Sequence, residues 1–308
     1  MSDSVDFVYA TPGVDENTQF YIGAISTNMT AYMLLMTLRE VYPQEEWEKL
    51  LQVPLPQLFP KSPFLKKLGK SWINEITLLD LLTHRSGLSN YLEAYGDEFA
   101  LAKGWNHPMD PVTLLQSISF DRAKKELYSN SNYLLLGKLI EEMQGESFDL
   151  VFARLIQTPA RMRSSFAPIA GNYFAFQQQA RFSRLAPDRD PIVCLDMSNA
   201  LGAGNVISTV ADLKRWAHYL LDEAPREIVD LMLKDYGRDA DGEIINLGFG
   251  TVDTCSGPFV GHQGSLDSYA TFFGFFLESR LLVIACSNKE SDFEQVMEIL
   301  VDQITTTH

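Results

Sequence analysis

Cysteine is scarce in this chain of 308 residues: there are three, Cys194, Cys255 and Cys286. Three is too few, and an odd number, for a disulfide framework. Their apolar surroundings read as those of small buried hydrophobes. Histidine is also sparse, with five scattered along the chain. None stands at metal-ligand spacing from a cysteine, so no metal is expected. Basic charge is in deficit, 25 Lys+Arg against 40 Asp+Glu, for a net charge of -15. That balance argues against nucleic acid and anionic membrane as partners. No apolar run reaches the ~20 residues that span a bilayer; Tyr133–Leu136 and Leu281–Cys286 are both far shorter. A phosphate loop is missing too: Gly202-x-Gly204 stands alone, and no cofactor is implied. The opening segment, MSDSVDFVYATPG, has no basic stretch leading into an apolar run. No secretory signal is read there, and the expected address is cytoplasmic.

The composition is that of a soluble globular protein, 46% hydrophobic and 21% charged. The length suggests two lobes. A short strand is expected at Asp6–Ala10. Phe20–Asn28 then leads into a Met- and Leu-rich helix with apolar residues on nearly every side (Met33, Leu34, Met36, Leu38, Val41). Gly23-Ala24 at its start permits close backbone approach, and free N–H groups there could hold a carbonyl oxygen or an anion. Tyr42–Trp72 carries five prolines; a helical turn, Glu45–Leu51, precedes an irregular wrap, VPLPQLFPKSPF. Thr77-x-x-Asp80 and Thr209-x-x-Asp212 read as capping boxes. Residues 92–110 read as a lid or solvated excursion and 166–199 as loop. Helices are expected at Val112–Ile118, Phe148–Leu155, from Thr209 to about Leu221, and over 225–235. Leu247–Val252, Pro258–His262, Tyr269–Phe276 and Leu281–Ser287 form an antiparallel meander. An amphipathic helix, Asp292–Thr305, follows. The class is α+β, with helices inserted between pieces of a sheet domain: 1–34 plus 200–308 for the sheet, 35–199 for a mainly helical lobe.

One stretch organises the rest, Leu127–Gly145, LYSNSNYLLLGKLIEEMQG. Tyr128-Ser129-Asn130 is polar. Tyr133, Leu134, Leu136, Leu139, Ile140 and Met143 then recur at helical spacing. Ser131 or Asn132 can cap this helix and Gly145 can stop it. A phenol and an amide are thus held rigidly where a cleft would need them. The phenol can pass a proton and the amide can orient a carbonyl.

Four stretches in this order, ITLLDLLTHRSGL (76–88), LYSNSNYLLLGKLIEEMQG (127–145), GAGNVISTVADLKRWAHYLL (202–221) and GHQGSLDSYATFFGF (261–275), carry a resemblance. From about residue 18 onward the chain resembles the serine β-lactamase and penicillin-binding-protein superfamily. The nearest branch is the class C β-lactamases with related esterases, D-amino peptidases and acyltransferases. The resemblance implies a β-lactamase/transpeptidase-like fold, an antiparallel sheet flanked by helices with a large inserted helical lobe. It also implies a cleft between the lobes for a small molecule or peptide. Tyr128 and Asn130 match the family's Tyr-x-Asn, and His262-Gln263-Gly264 its Lys/His-x-Gly. The family's Ser-x-x-Lys, nucleophile and base, is replaced: Ala24 stands at the serine position and Thr27 at the lysine position, and no Ser-x-x-Lys occurs elsewhere. Ser26 lies about 200° around a helix from Ala24 and should face away from the cleft. Barely twenty residues precede the first helix, so the N-terminal strands are expected to be trimmed. An exposed sheet edge would then remain for a partner or a second copy to cover.

The chemistry expected of such a site is limited. Loss of a nucleophilic serine from a comparable hydrolase costs roughly 10⁶ in turnover, and here the activating amine is gone too. Without that cation Tyr128 should stay a neutral phenol. His262 could titrate usefully, or could only bond a backbone group on its strand. Three readings follow. One is a degenerate binding member whose cleft is lined by Ala24, Thr27, Asn130, Gly264 and Ser265. Another is a non-acyl enzyme, an isomerase, lyase or cyclase, with Tyr128 as acid, His262 as its partner and the N–H groups near Ala24 and Ser265 as an oxyanion-type cradle. The last is a weak hydrolase using an unorthodox nucleophile such as Ser26.

Overall fold

A computed structural model describes residues 10, 12–94, 108–124, 127–170, 197–266 and 269–288. The expected strand at Asp6–Ala10, most of the 92–110 lid and 166–199 loop, Cys194 and the closing Asp292–Thr305 helix lie outside them.

Five antiparallel strands run in sequence order, β3 (Ile244–Ile245), β4 (Gly250–Thr254), β5 (Gly257–Leu266), β6 (Tyr269–Phe276) and β7 (Leu282–Ser287). The meander expected from the β-rich runs separated by turns is there. Val260, Phe273 and Phe275 point into the core from one face. β4 pairs with β5 only as far as Gly250↔Gly261. Beyond that, His262–Leu266 has β6 on one side and the cleft on the other. A separate ribbon, β1 (Phe20–Tyr21) with β2 (Ile207–Ser208), leads into the first helix.

That first helix, Ser26–Val41, is buried along most of its length, including Met29, Met33, Leu34 and Leu38. Val41, at its last turn, is exposed. Tyr32 stacks edge-on against Trp216 and shares a 2.9 Å hydrogen bond with the Tyr219 hydroxyl. The helix thereby touches both the helical block and the C-terminal helices through one continuous apolar core.

The Asn130–Gln144 helix ends where Gly145 adopts φ 65°. It begins two or three residues earlier than the expected caps, Ser131 or Asn132, would place it, with Ser129 as N-cap and no side-chain cap bond. Ser131 and Asn132 are occupied elsewhere, with Ser131 bonding the Ser89 carbonyl and Asn132 the Ser86 hydroxyl. Thr77/Asp80 forms a full capping box. The second box is half-formed. Thr209 caps Asp212 N–H, but the Asp212 carboxylate turns to the Ser164 N–H, the Ser165 hydroxyl and Arg215. Its helix, Val210–His218, continues in a wider turn over Tyr219–Glu223. The remaining expected helices appear as Pro111–Gln116, Phe148–Phe152 and Arg226–Leu233.

The proline-rich wrap is not irregular throughout. It holds two short helices, Leu55–Leu58 and Pro63–Leu68. Proline sits in the first turn of each, where its missing N–H costs nothing, and Ser62 caps the second. Cys286 is partly buried against the core, and desolvation pushes its thiol up to about 12. Cys255 does not fit the buried reading, because it is exposed at the β4–β5 turn. Among the described residues no helix is long and apolar enough to cross a membrane.

Candidate functional site

The site is built where the turn before the first helix meets β5. Gly23–Ile25 forms one tight helical turn, and Thr271, on β6, donates to the carbonyls of both Ile22 (3.0 Å) and Gly264 (3.2 Å). Gly264 makes this contact possible: a Cβ there would lie 2.0 Å from the Ile22 oxygen. Gly264 lines neither pocket of the cleft. Its part is to let strand and turn approach.

A pocket of about 290 Å³ opens above this junction. Ala24, Tyr128, Asn130, His262, Gln263 and Ser265 contribute to its walls. Five of the seven residues expected at the site are therefore brought together. Thr27 is not among the residues that line it. It is buried, and its hydroxyl donates to the Ala24 carbonyl at 2.7 Å. A short side chain one turn into a helix bonds backwards in this way and cannot extend into a cleft. Ser26 is fully buried, and its Oγ accepts the Val206 N–H at 3.2 Å. It faces away from the pocket, as its angular offset requires.

Tyr128 packs between two imidazoles, with His84 stacked on it at 4.1 Å and His262 tilted at 6.2 Å. The close packing pushes the phenol's pKa up from its usual value. The residue is 42% exposed, and solvent limits the size of that shift. His262 Nδ1 lies 2.5 Å from the Gln263 carbonyl. A carbonyl only accepts, so Nδ1 carries the proton and Nε2 keeps its lone pair. Desolvation lowers the His262 pKa, partly opposed by this bond.

His84 belongs to the site and was not anticipated. Its Nδ1 receives the Ser129 N–H at 3.1 Å and faces the Asn132 amide nitrogen at 3.2 Å. Two donors converge on Nδ1, so the proton sits on Nε2. The Ser129 carbonyl, 3.2 Å from the same atom, then adds no bond. Desolvation, with His262 nearby, lowers the His84 pKa to about 3. The ring is a neutral shelf under Tyr128. The only hint in the chain was its place in the 76–88 stretch, four residues after the capping aspartate.

A second, larger pocket of about 490 Å³ shares Tyr128, His262 and Gln263 with the first. It runs past His84 towards the hairpin that carries Asp239, Glu243, Ile244 and Ile245. Arg85 ties that hairpin down, donating to the carbonyls of Tyr236 (2.6 Å) and Arg238 (2.8 Å). No group of three or more His, Cys, Asp or Glu suited to a metal occurs among the described residues.

Residues 7–305 match the Beta-lactamase family. The chain belongs to that family. It is 26% identical over 223 residues to the unguisins hydrolase ungD' of Aspergillus campestris, an alignment covering 69% of this chain and 40% of that protein. It is 28% identical over 250 residues to penicillin-binding protein 4* of Bacillus subtilis, covering 73% and 54%. The chain thus spans about half, or less, of these curated relatives. Among solved structures, the D-amino acid amidase of Ochrobactrum anthropi SV3 complexed with D-phenylalanine superposes with a TM-score of 0.74 at 17% identity, covering 96% of this chain and 86% of that one. The octameric penicillin-binding protein homologue of Pyrococcus abyssi gives 0.68 at 22%, covering 89% and 62%. These likenesses establish the fold, an α+β β-lactamase-like architecture. The named relatives include hydrolases and penicillin-binding proteins.

Proposed function

We propose that this chain is a β-lactamase-family protein that binds a small molecule or peptide in its cleft without forming an acyl-enzyme. The observation that carries the reading is the methyl group of Ala24 in the wall of the smaller pocket, beside Tyr128 and His262. Acylation needs an attacking oxygen and a group to take its proton. Among the described residues no lysine lines this pocket, and Ser265 is its only serine. The phenol is held protonated and both imidazoles are poor bases. The test is incubation with a fluorescent penicillin and a fluorophosphonate probe. No stable label is expected, and covalent labelling of the wild-type chain would end the proposal.

One observation favours a second reading, non-acyl acid–base catalysis. Tyr128 offers a proton and His262 Nε2 a lone pair, on rings 6.2 Å apart. With a substrate in hand, unchanged turnover in both Tyr128→Phe and His262→Ala would exclude it. Self-association through a sheet edge is proposed as well; a monomer by light scattering at micromolar concentration would remove it.

A further inference from the structure

The larger pocket is not explained by the chemistry at Ala24, and its walls have a definite character. Tyr128, Ile244 and Ile245 give it apolar sides, and His84 contributes an uncharged ring. Its volume, about 490 Å³, is in the range of small-molecule sites. The hairpin at its rim is acidic, with Asp235, Asp239, Asp241 and Glu243 set against Arg85 and Arg238. Both guanidinium groups are turned to main-chain carbonyls, Arg85 to Tyr236 and Arg238, and Arg238 to Gly242. Asp239 is also engaged, its carboxylate receiving the N–H groups of Asp241 and Glu243. Glu243 is different. It lines the pocket yet makes no ion pair among the described residues. Desolvation, then Asp239 and Asp241, hold its carboxyl above the usual carboxylate range. A carboxylate crowded by others, with no cation of its own, favours a cationic ligand.

We propose that the larger pocket binds an amphipathic organic cation, with its ammonium at Glu243 and its aromatic or branched apolar body against Tyr128, Ile244 and Ile245. The cation can be a free amine or the amino end of a peptide; the recognition chemistry is the same. The proposal rests on reading the cleft as a ligand site and adds what the ligand must carry. Because the two pockets share Tyr128, His262 and Gln263, the remainder of such a ligand can extend past the phenol towards Ala24.

Fluorescence anisotropy of 2-naphthylmethylamine and of 2-naphthylacetate, at low salt, tests this on the full chain. The amine is expected to bind about tenfold more tightly than the acetate. Glu243→Gln should weaken the amine about three- to fivefold, the range for one partly exposed ion pair, and Glu243→Lys should reverse the order. Glu243 is exposed, so neither change threatens the fold. Competition by Phe-Gly-Gly but not by its N-acetyl form would assign the amine to a peptide terminus. Competition by neither would assign it to a free amine. Equal affinity for both probes, no amine binding, or amine binding indifferent to Glu243→Lys would overturn the proposal. Each of these can occur with the penicillin probe still failing to label, so the two readings fail separately.

Discussion

Gly264→Ala gives the sharpest test of how the cleft is assembled. The added Cβ would lie 2.0 Å from the Ile22 oxygen and 2.6 Å from Thr271 Oγ1. Neither neighbour is the far end of a flexible chain. To relieve the overlap, the Gly23–Ile25 turn must draw back by about 1 Å, because non-bonded carbon and oxygen need roughly 3 Å. That movement breaks the Thr271–Ile22 hydrogen bond. Overpacking costs about 1–3 kcal/mol and a lost buried hydrogen bond about 1 kcal/mol. The reduced freedom of the unfolded chain returns about 0.5–1 kcal/mol. The net expectation is a loss of about 2 kcal/mol. With an unfolding entropy of about 2.1 cal/mol/K per residue, the melting temperature of a chain this long should fall by about 3 °C. Gly145→Ala is the control. It has φ 65° and nothing within 4 Å of the new Cβ, so only backbone strain of about 1 kcal/mol applies. Circular-dichroism melts of both variants, with Thr271→Val in each background, complete the experiment. Thr271→Val should cost about 1 kcal/mol less in Gly264→Ala than in wild type, because its bond to Ile22 is already broken. A Gly264→Ala protein that melts with wild type, or an additive Thr271→Val, would refute the assembly described.

Three further outcomes are expected. His84 has a folded pKa of about 3 against about 6.5 unfolded, so the unfolded chain takes the proton first. Its contribution to stability is whole above pH 6.5 and is lost as pH falls from there towards 3, about 2 kcal/mol by pH 5. Urea midpoints of His84→Phe should therefore fall less between pH 7 and 5 than those of wild type. Asp212→Ala strips a fully buried carboxylate from the Ser164 N–H and the Ser165 hydroxyl and should cost about 3 kcal/mol in a urea melt. Ser26→Ala should leave any ester turnover of the wild-type chain unchanged, because its Oγ is committed to Val206 N–H. A large drop in a stopped assay would place Ser26 in the chemistry after all.

Which parts of the site could be read in advance follows from the range of the interactions. Tyr128 and Asn130 sit at the mouth of a helix whose period is visible over four turns, and their match to the family's Tyr-x-Asn singled them out; His262 was reached through its match to the family's Lys/His-x-Gly. Thr27 and Gly264 were given ligand-facing roles because position alone was considered. What decides their roles is a hydroxyl folded back on Ala24 and a backbone oxygen arriving from Ile22, 242 positions away in the chain (264 less 22). His84 escaped notice because its importance comes from stacking on Tyr128 and bonding Ser129, more than forty positions on. The two short helices in the proline-rich wrap were masked by the prolines themselves, which break helices internally but start them readily.

The small side chains at 24 and 27 and the state of the aromatic groups form one electrostatic arrangement. Among the described residues, the only lysine or arginine lining either pocket is Arg85, and its guanidinium is held by two carbonyls. With no ammonium beside it, the Tyr128 phenol keeps its proton, and burial next to each other keeps His84 and His262 neutral. A cleft in that state does not repel an incoming cation. The acidic hairpin then attracts one. An ammonium bound at Glu243 would therefore place a positive charge in a pocket whose own side chains leave it nearly without one. The charge would come from the ligand, on the side of Tyr128 away from Ala24.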